Sequence, residues 1–175
     1  MRRRIFFIAT AMLLSAAVAQ AQTAFLVAGG ANAPLGHLGD IADIGYNASF
    51  GVNLGGTAIP VGARLEAAYN DLGYKGGGGD VRIISGTANA IFNLGMTRDA
   101  PYLIAGVGAY NRNSGSSALG YGTGQTVAGV NGGAGLRFPL SGLSTFVEVR
   151  YHLMLGSAAD GTNYQFIPIT FGISF

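Results

Sequence analysis

The last ten residues, FIPITFGISF, alternate strictly between two kinds of position. Isoleucine or phenylalanine occupies every odd-numbered position from Ile167 to Phe175, and smaller residues occupy the even-numbered positions after Phe166. A period of two over about ten residues predicts a β-strand with one apolar face. Pro168 cannot donate a hydrogen bond to a neighbouring strand, so we expect a local bulge there. Because other segments repeat this period, the chain is predicted to form a sheet whose strands turn one apolar face to the same surroundings.

Seven further segments after residue 22 have the length and composition of strands, and no segment there indicates a convincing helix. The parity of the first strand stays open, because the alternating pairs Phe25/Val27 and Leu26/Ala28 are both apolar. The eight predicted strands are Thr23–Ala31, Tyr46–Gly55, Ile59–Asn70, Arg82–Leu94, Tyr102–Arg112, Thr126–Phe138, Ser144–His152 and Asn163–Phe175.

The connections between these strands alternate in length. The long links are rich in Gly, Ser, Asn and Asp, and they are Asn32–Gly45, Asp71–Val81, Asn113–Gln125 and Leu153–Thr162. The short links lie around Gly56–Ala58, Gly95–Pro101 and Pro139–Leu143. Long loops at one end and tight turns at the other are typical of outer-membrane barrels. We therefore predict an all-β fold, an eight-stranded antiparallel transmembrane β-barrel, over residues 22–175, in which the last strand pairs with the first.

The first 21 residues have a different composition. Arg2, Arg3 and Arg4 precede an apolar run, Ile5–Val18, which ends in small residues before Ala21. This order is typical of a secretory signal peptide, and we expect cleavage after Ala21. The alternative, a membrane anchor, is disfavoured because the run is short for a membrane span.

The charge content separates this chain from ordinary soluble domains. Charged residues make up 10% of the sequence, against about 25% in a typical soluble domain. Three of the ten Lys and Arg lie in the predicted signal peptide, so seven basic residues face eight acidic ones in the remainder. That balance gives no support to nucleic-acid binding, which needs a clustered basic surface. Cysteine is absent, which excludes disulfides and thiolate metal sites.

Five charged residues within the strands lie on the polar parity. A soluble, lipocalin-like barrel would turn the apolar face inward, whereas a transmembrane barrel turns the polar face inward. Oppositely charged side chains in a narrow lumen can neutralise one another, and each unpaired charge would cost several kcal/mol. We therefore predict a charge network in the lumen, made of Arg64, Glu66, Arg137, Glu148 and Arg150.

Six aromatic residues fall on the apolar parity near the strand ends. Bilayer interfaces select belts of Tyr, Trp and Phe at these positions. We predict one belt at the loop end from Tyr46, Tyr69 and Tyr151, and one at the opposite end from Phe92, Phe138 and Phe175.

Five segments carry a resemblance to a known family: residues 68–95, PYLIAGVGAY (101–110), GVNGGAGLRFPLS (129–141), FVEVRYH (146–152) and FIPITFGISF (166–175). Together they resemble the small outer membrane protein β-barrel domains, a group that includes OmpX, the opacity proteins and the transmembrane domain of OmpA. The resemblance implies a barrel in a Gram-negative outer membrane with no family-wide catalytic residues. It also implies that the insertion signal read by the barrel-assembly machinery comprises Ile169, Phe171, Ile173 and Phe175.

Two histidines raise the question of chemistry. His152 near Ser157 suggests a lipid A-modifying enzyme, but the parity of His152 points into the lumen, away from the lipid. His37 with Asp40 and Asp43 has no usable metal-ligand spacing. We therefore predict no catalytic residues, no metal and no cofactor.

The leading functional prediction is a small integral outer-membrane barrel with a structural or adhesin-like role through four external loops. A narrow porin-like channel is the alternative, and a lipid A-modifying enzyme is less favoured. The expected partners are outer-membrane lipid, the barrel-assembly machinery and an unidentified surface ligand, with no nucleic acid and with the chain as a monomer.

Overall fold

One antiparallel sheet closes on itself in the computed structural model, which describes residues 23–55, 60–95, 100–116, 120–121, 124–156 and 161–175. The predicted signal peptide lies outside the described residues. The elements in chain order are β1 (Thr23–Leu35), α1 (Gly36–Ile41), β2 (Gly45–Leu54), β3 (Val61–Gly73), β4 (Asp80–Asn93), β5 (Pro101–Ser116), β6 (Gly120–Tyr121), β7 (Gln125–Leu140), β8 (Leu143–Met154) and β9 (Tyr164–Ser174).

Eight long strands form the barrel wall, and the two-residue β6 pairs only with the end of β5. Each long strand pairs with its neighbour in the chain, and β9 pairs with β1 from Leu26–Ser174 to Leu35–Gln165. This last pairing leaves no open edge in the wall, as a sheet surrounded by lipid requires. The predicted eight-stranded antiparallel barrel is confirmed.

The barrel has two unlike ends. Thr23 and Phe175 lie at one end with the short turns, and we call this the terminal end. The loop end carries the β1–β2, β5–β7 and β8–β9 connections, which are the longer ones, and also the β3–β4 connection, which is as short as the turns at the terminal end. The strands extend further toward the loop end than expected, and pairing from Asp71–Arg82 to Gly73–Asp80 shortens the predicted loop Asp71–Val81 to the six residues 74–79. The expectation of no helix is wrong in the first loop, where α1 forms and buries Leu38.

The side chains that face the lumen are the ones that the sequence pattern predicts. The structure also shows which face of the first strand is turned inward, which the sequence left open. Leu26 and Ala28 of β1 face the lumen and are buried, whereas Phe25 and Val27 lie on the exterior. Pro168 interrupts the β8–β9 ladder, which stops at Val149–Ile169 and resumes at His152–Phe166 in the same register. The expected bulge is therefore absent, because no extra residue is inserted on either strand.

Two glycines make room for large lumen side chains. A Cβ atom added at Gly135 would overlap the ring of Tyr102, the residue paired with it on β5. A Cβ atom added at Gly172 would overlap the ring of Phe146, its partner on β8. An eight-stranded barrel is just wide enough for side chains to fill it. Each of these rings therefore lies over a glycine on the neighbouring strand.

Candidate functional site

Four charged side chains meet in the lumen, and we call them the charge network: Arg64 and Glu66 of β3, and Glu148 and Arg150 of β8. The two strands lie opposite each other, four positions apart around the eight-stranded ring. Both run toward the loop end, with Arg preceding Glu on β3 and Glu preceding Arg on β8. Opposite charges are therefore level with each other across the barrel.

The charge network is closely paired and removed from solvent. Arg64 Nη1 donates to Glu148 Oε2 at 2.9 Å and lies 3.6 Å from Glu66 Oε2. Arg150 Nε lies 2.8 Å from Glu148 Oε1, and its Nη2 donates to Glu66 Oε1. The four side chains are at most 4% exposed. Two positive and two negative charges balance, and this pairing offsets the large cost of desolvating each one.

Neighbouring groups hold the charge network in place. The Tyr102 hydroxyl donates to Glu148 Oε2 at 2.7 Å. Arg64 Nε donates to Asn53 Oδ1 at 2.8 Å, and its guanidinium lies 5.3 Å from the centre of the Phe146 ring. These contacts restrict the rotamers of Glu148 and Arg64.

The fifth predicted member, Arg137, lies apart from the other four. Its Nη1 donates to Asn93 Oδ1 at 3.4 Å, and its guanidinium stacks 5.0 Å from the centre of the Tyr102 ring. It is half-buried, nearer the terminal end. The structure thus brings four of the five residues together and gives Arg137 a separate environment.

The loop end of the lumen is filled by apolar side chains. Leu38 of α1 lies inside the lumen and is fully buried, as are Tyr110 and Phe166. We call this cluster the apolar plug, and its buried members are Leu38, Ala42, Leu72, Val81, Ile83, Tyr110, Met154, Tyr164 and Phe166. These side chains pack against one another at the loop end of the described lumen and have almost no exposure to solvent.

Main-chain hydrogen bonds fasten α1 to the β3–β4 turn. The Asp43 N–H donates to the Gly73 carbonyl at 2.8 Å, and the Lys75 N–H donates to the Ile41 carbonyl at 3.0 Å. Sequence reasoning missed this plug. The signal was the spacing of Leu35, Leu38 and Ile41, which recur every three residues as on one side of a helical turn.

The two histidines lie in different places. His152 is buried beside the apolar plug, where its Nδ1 is 2.9 Å from the Tyr110 hydroxyl and its ring stacks 4.8 Å from Phe166. Ser157, the nucleophile considered with it, lies outside the described residues. His37 stacks on Tyr164 at 5.8 Å. Among the described residues no three acidic or histidine side chains gather as metal ligands would.

The exterior carries the predicted aromatic residues. Tyr46 and Tyr69 lie together near the loop end, with ring centres 6.4 Å apart, and the terminal end joins Phe25 to Phe175 at 6.4 Å. The other three, Phe92, Phe138 and Tyr151, are exposed outward. Their assignment to two bilayer interfaces stays a prediction. The same holds for the insertion signal, whose four residues, Ile169, Phe171, Ile173 and Phe175, all face outward.

An apolar exterior around a charged lumen defines the class of protein. Exposed Val, Ile, Leu and Phe side chains cover all the long strands, for example Phe50, Leu65 and Phe171 at 51%, 54% and 57% exposure. Monomeric soluble proteins rarely expose continuous apolar surfaces of this kind. The lipocalin-like arrangement is therefore excluded, and the fold is that of a membrane β-barrel with a lipid-facing wall. No helix in the described ranges is long and apolar enough to cross a membrane.

Comparison with solved structures agrees with this class. Neisserial surface protein A is similar over 87% of this chain and 94% of its own, with 16% sequence identity and a TM-score of 0.63. The N-terminal β-barrel domain of Pseudomonas aeruginosa OprF covers 89% of this chain and 100% of its own, with 18% identity and a TM-score of 0.51. The outer membrane protein OprG from Pseudomonas aeruginosa covers 89% and 97%, with 15% identity and a TM-score of 0.50.

These likenesses show that the chain has the fold of the small outer-membrane β-barrels. No protein-family model matches the chain, and no curated protein sequence matches it.

Proposed function

We propose that this chain is a monomeric integral protein of the outer membrane whose barrel holds four loops at the cell surface for structural or adhesive contact. The observation that carries the proposal is the contrast between a lumen occupied at two levels, by the charge network and by the apolar plug, and a lipid-facing wall. A wall of this kind needs a bilayer, and a lumen occupied in this way leaves the loops as the parts that can meet a partner at the cell surface. The similarity to a surface protein and to an outer membrane protein supports this location.

The channel alternative has less support from the described lumen. Solute would have to pass both the charge network and the apolar plug, which occupy different levels of the barrel. Passage through the network would separate buried opposite charges, at several kcal/mol for each ion left unpaired. We therefore infer that the barrel is a scaffold for its loops.

A catalytic role also has little support. A lipid-modifying site needs a nucleophile and a base within hydrogen-bond reach on the lipid side. His152 instead contacts Tyr110 and Phe166 inside the lumen. We infer that His152 packs against other side chains in the lumen and has no catalytic role. Replacement of His152 by Gln should therefore leave the lipid A composition, measured by mass spectrometry, unchanged.

Surface labelling tests the proposed location and orientation. One variant carries a short epitope in the β3–β4 turn at Gly76–Gly78, and its matched control carries the same epitope in the β7–β8 turn at Ser141–Gly142. Both sites are glycine-containing turns at opposite ends of the barrel, so both tolerate an insertion. Heat-dependent gel mobility confirms that each variant is folded.

We expect antibody to label intact cells that carry the first variant, and to label the second only after the outer membrane is broken. Labelling in the reverse order would contradict the orientation. Recovery of folded protein in the soluble periplasmic fraction would contradict membrane insertion itself.

A further inference from the structure

Three buried polar side chains lie side by side where the charge network meets the apolar plug. Asn131 of β7 is paired with His152 of β8, and Arg150 precedes His152 by two positions on the same face of β8. The three side chains are at most 6% exposed. Paired residues on one face of a sheet have Cβ atoms about 5 Å apart, and residues two positions apart on one strand lie about 7 Å apart. Their polar ends can therefore reach one common point, which we call the β7–β8 polar site.

Each of the three side chains carries a buried polar atom that no described residue satisfies. These atoms are Arg150 Nη1, His152 Nε2, and both Nδ2 and Oδ1 of Asn131. Asn131 lies beside the Tyr110 hydroxyl but makes no well-aligned hydrogen bond to it, and that hydroxyl lies 2.9 Å from His152 Nδ1. A buried donor or acceptor without a partner loses the hydrogen bonds that it had with solvent. Four such atoms in one place indicate a ligand that the three side chains share.

Other buried asparagines of the described lumen donate to protein acceptors. Asn32 Nδ2 donates to Asn70 Oδ1 at 3.0 Å, and Asn89 Nδ2 donates to Thr87 Oγ1 at 2.9 Å. Asn131 is buried to a similar degree and has no such acceptor within the described part of the chain. Its amide group, which can both donate and accept, is therefore available to a ligand.

The charges around the β7–β8 polar site favour a small neutral ligand. The charge network balances two arginines against two glutamates, so an ion bound beside it would add an uncompensated buried charge. Arg150 Nη1 can only donate, whereas the Asn131 amide can donate and accept. His152 Nε2 can do either, according to the tautomer that its contact with Tyr110 selects. The matching ligand accepts one hydrogen bond and donates others.

We propose that the β7–β8 polar site binds an internal water molecule. The water accepts from Arg150 Nη1, donates to Asn131 Oδ1 and makes its third hydrogen bond with His152 Nε2. Buried waters typically make about three hydrogen bonds to groups that are otherwise unsatisfied. Arg150 belongs to the charge network and His152 contacts Tyr110 of the apolar plug, so the water connects the two. This inference concerns the lumen and does not depend on the proposed surface role.

The direct test is a pair of crystal structures of the full barrel, one grown with chloride and one with bromide, at a resolution that shows ordered water. We expect one density peak within hydrogen-bond distance of Arg150 Nη1 and Asn131 Oδ1, with no anomalous signal from bromide. An anomalous peak at this position would identify an anion and overturn the proposal. Absence of any peak there would also overturn it.

Deuteron magnetic relaxation dispersion of the solvent tests the same site in detergent micelles, because it counts long-lived internal waters. Asn131→Leu removes both amide atoms at similar volume, and we expect the count to fall by about one water molecule. The matched control is Thr170→Val, which removes a buried lumen hydroxyl that already donates to the Glu148 carbonyl at 3.3 Å, and it should leave the count unchanged.

Heat-dependent gel mobility shows whether each variant is folded. If Asn131→Leu does not fold, His152→Phe replaces it, because it removes Nε2 and should also release one water molecule. An unchanged count in the folded Asn131 or His152 variant would overturn the proposal.

Discussion

The two halves of the lumen close the barrel by different physical means. The charge network consists of four ionised groups on two opposite strands, β3 and β8, and connects the wall across its diameter. The apolar plug gathers side chains from α1 and from several strands, and its central residue, Leu38, belongs to a loop that folds back. The charge network is therefore made of residues of the barrel strands, whereas the apolar plug depends on α1, in the connection between β1 and β2. Breaking the first should therefore affect the whole barrel, and breaking the second should act locally.

The largest expected effect follows from Glu148→Ala. This substitution leaves Arg64 and Arg150 with Glu66 alone, so one buried positive charge lacks a partner. Removing one partner of a buried ion pair costs about 3–5 kcal/mol. We expect the free energy of unfolding, measured by urea titration in lipid vesicles with gel mobility as readout, to fall by that amount.

The matched variant for this prediction removes both partners. Arg64→Met with Glu148→Leu leaves the Arg150–Glu66 pair in charge balance. Replacing a buried pair by apolar residues is often neutral or stabilising. A double variant as unstable as Glu148→Ala would show that the network contributes through packing and not through charge balance.

A smaller effect is expected from Gly135→Ala. The added methyl group overlaps the Tyr102 ring, which donates to Glu148, so the ring and its hydrogen bond must shift. Overpacking of this kind costs about 1–3 kcal/mol. The control is Gly86→Ala on the lipid-facing side, where an added Cβ meets no atom within 4 Å. Equal losses of stability by urea titration in the two variants would refute the packing explanation.

The smallest effect on global stability is expected from Leu38→Ala. Leu38 is fully buried, but we infer that α1 can detach while the strands stay paired, which limits the loss in the free energy of global unfolding to the free energy of that detachment, expected to be less than about 1 kcal/mol. Hydrogen exchange should instead accelerate at the Ala42 N–H, which donates to the Leu38 carbonyl, and at the Asp43 N–H. Exchange at Glu66 and Glu148 should not change. Acceleration at all of these amides together would contradict a separable plug.

The contrast between the charge network and the apolar plug also explains which features of the structure could be predicted from the sequence. Strand number, closure and the parity of every long strand except β1 follow from local periodicity, because side chains alternate between the two faces of any strand. The same parity predicts which charges face inward, including Arg64 and Glu148. It does not predict that Arg137 stays apart, because that depends on the vertical stagger of strands, which periodicity does not contain. Nor does it predict α1, since a six-residue helix draws its stability from tertiary packing of Leu38 and not from its own propensity.

Single-channel recording of the purified, heat-modifiable barrel in planar bilayers tests the central claim most directly. A lumen closed by both the charge network and the apolar plug should give no steady open level at moderate voltage, under conditions where a large porin added as a positive control conducts. Persistent ohmic openings from the folded wild-type chain would contradict the account, because ions would then cross both closures.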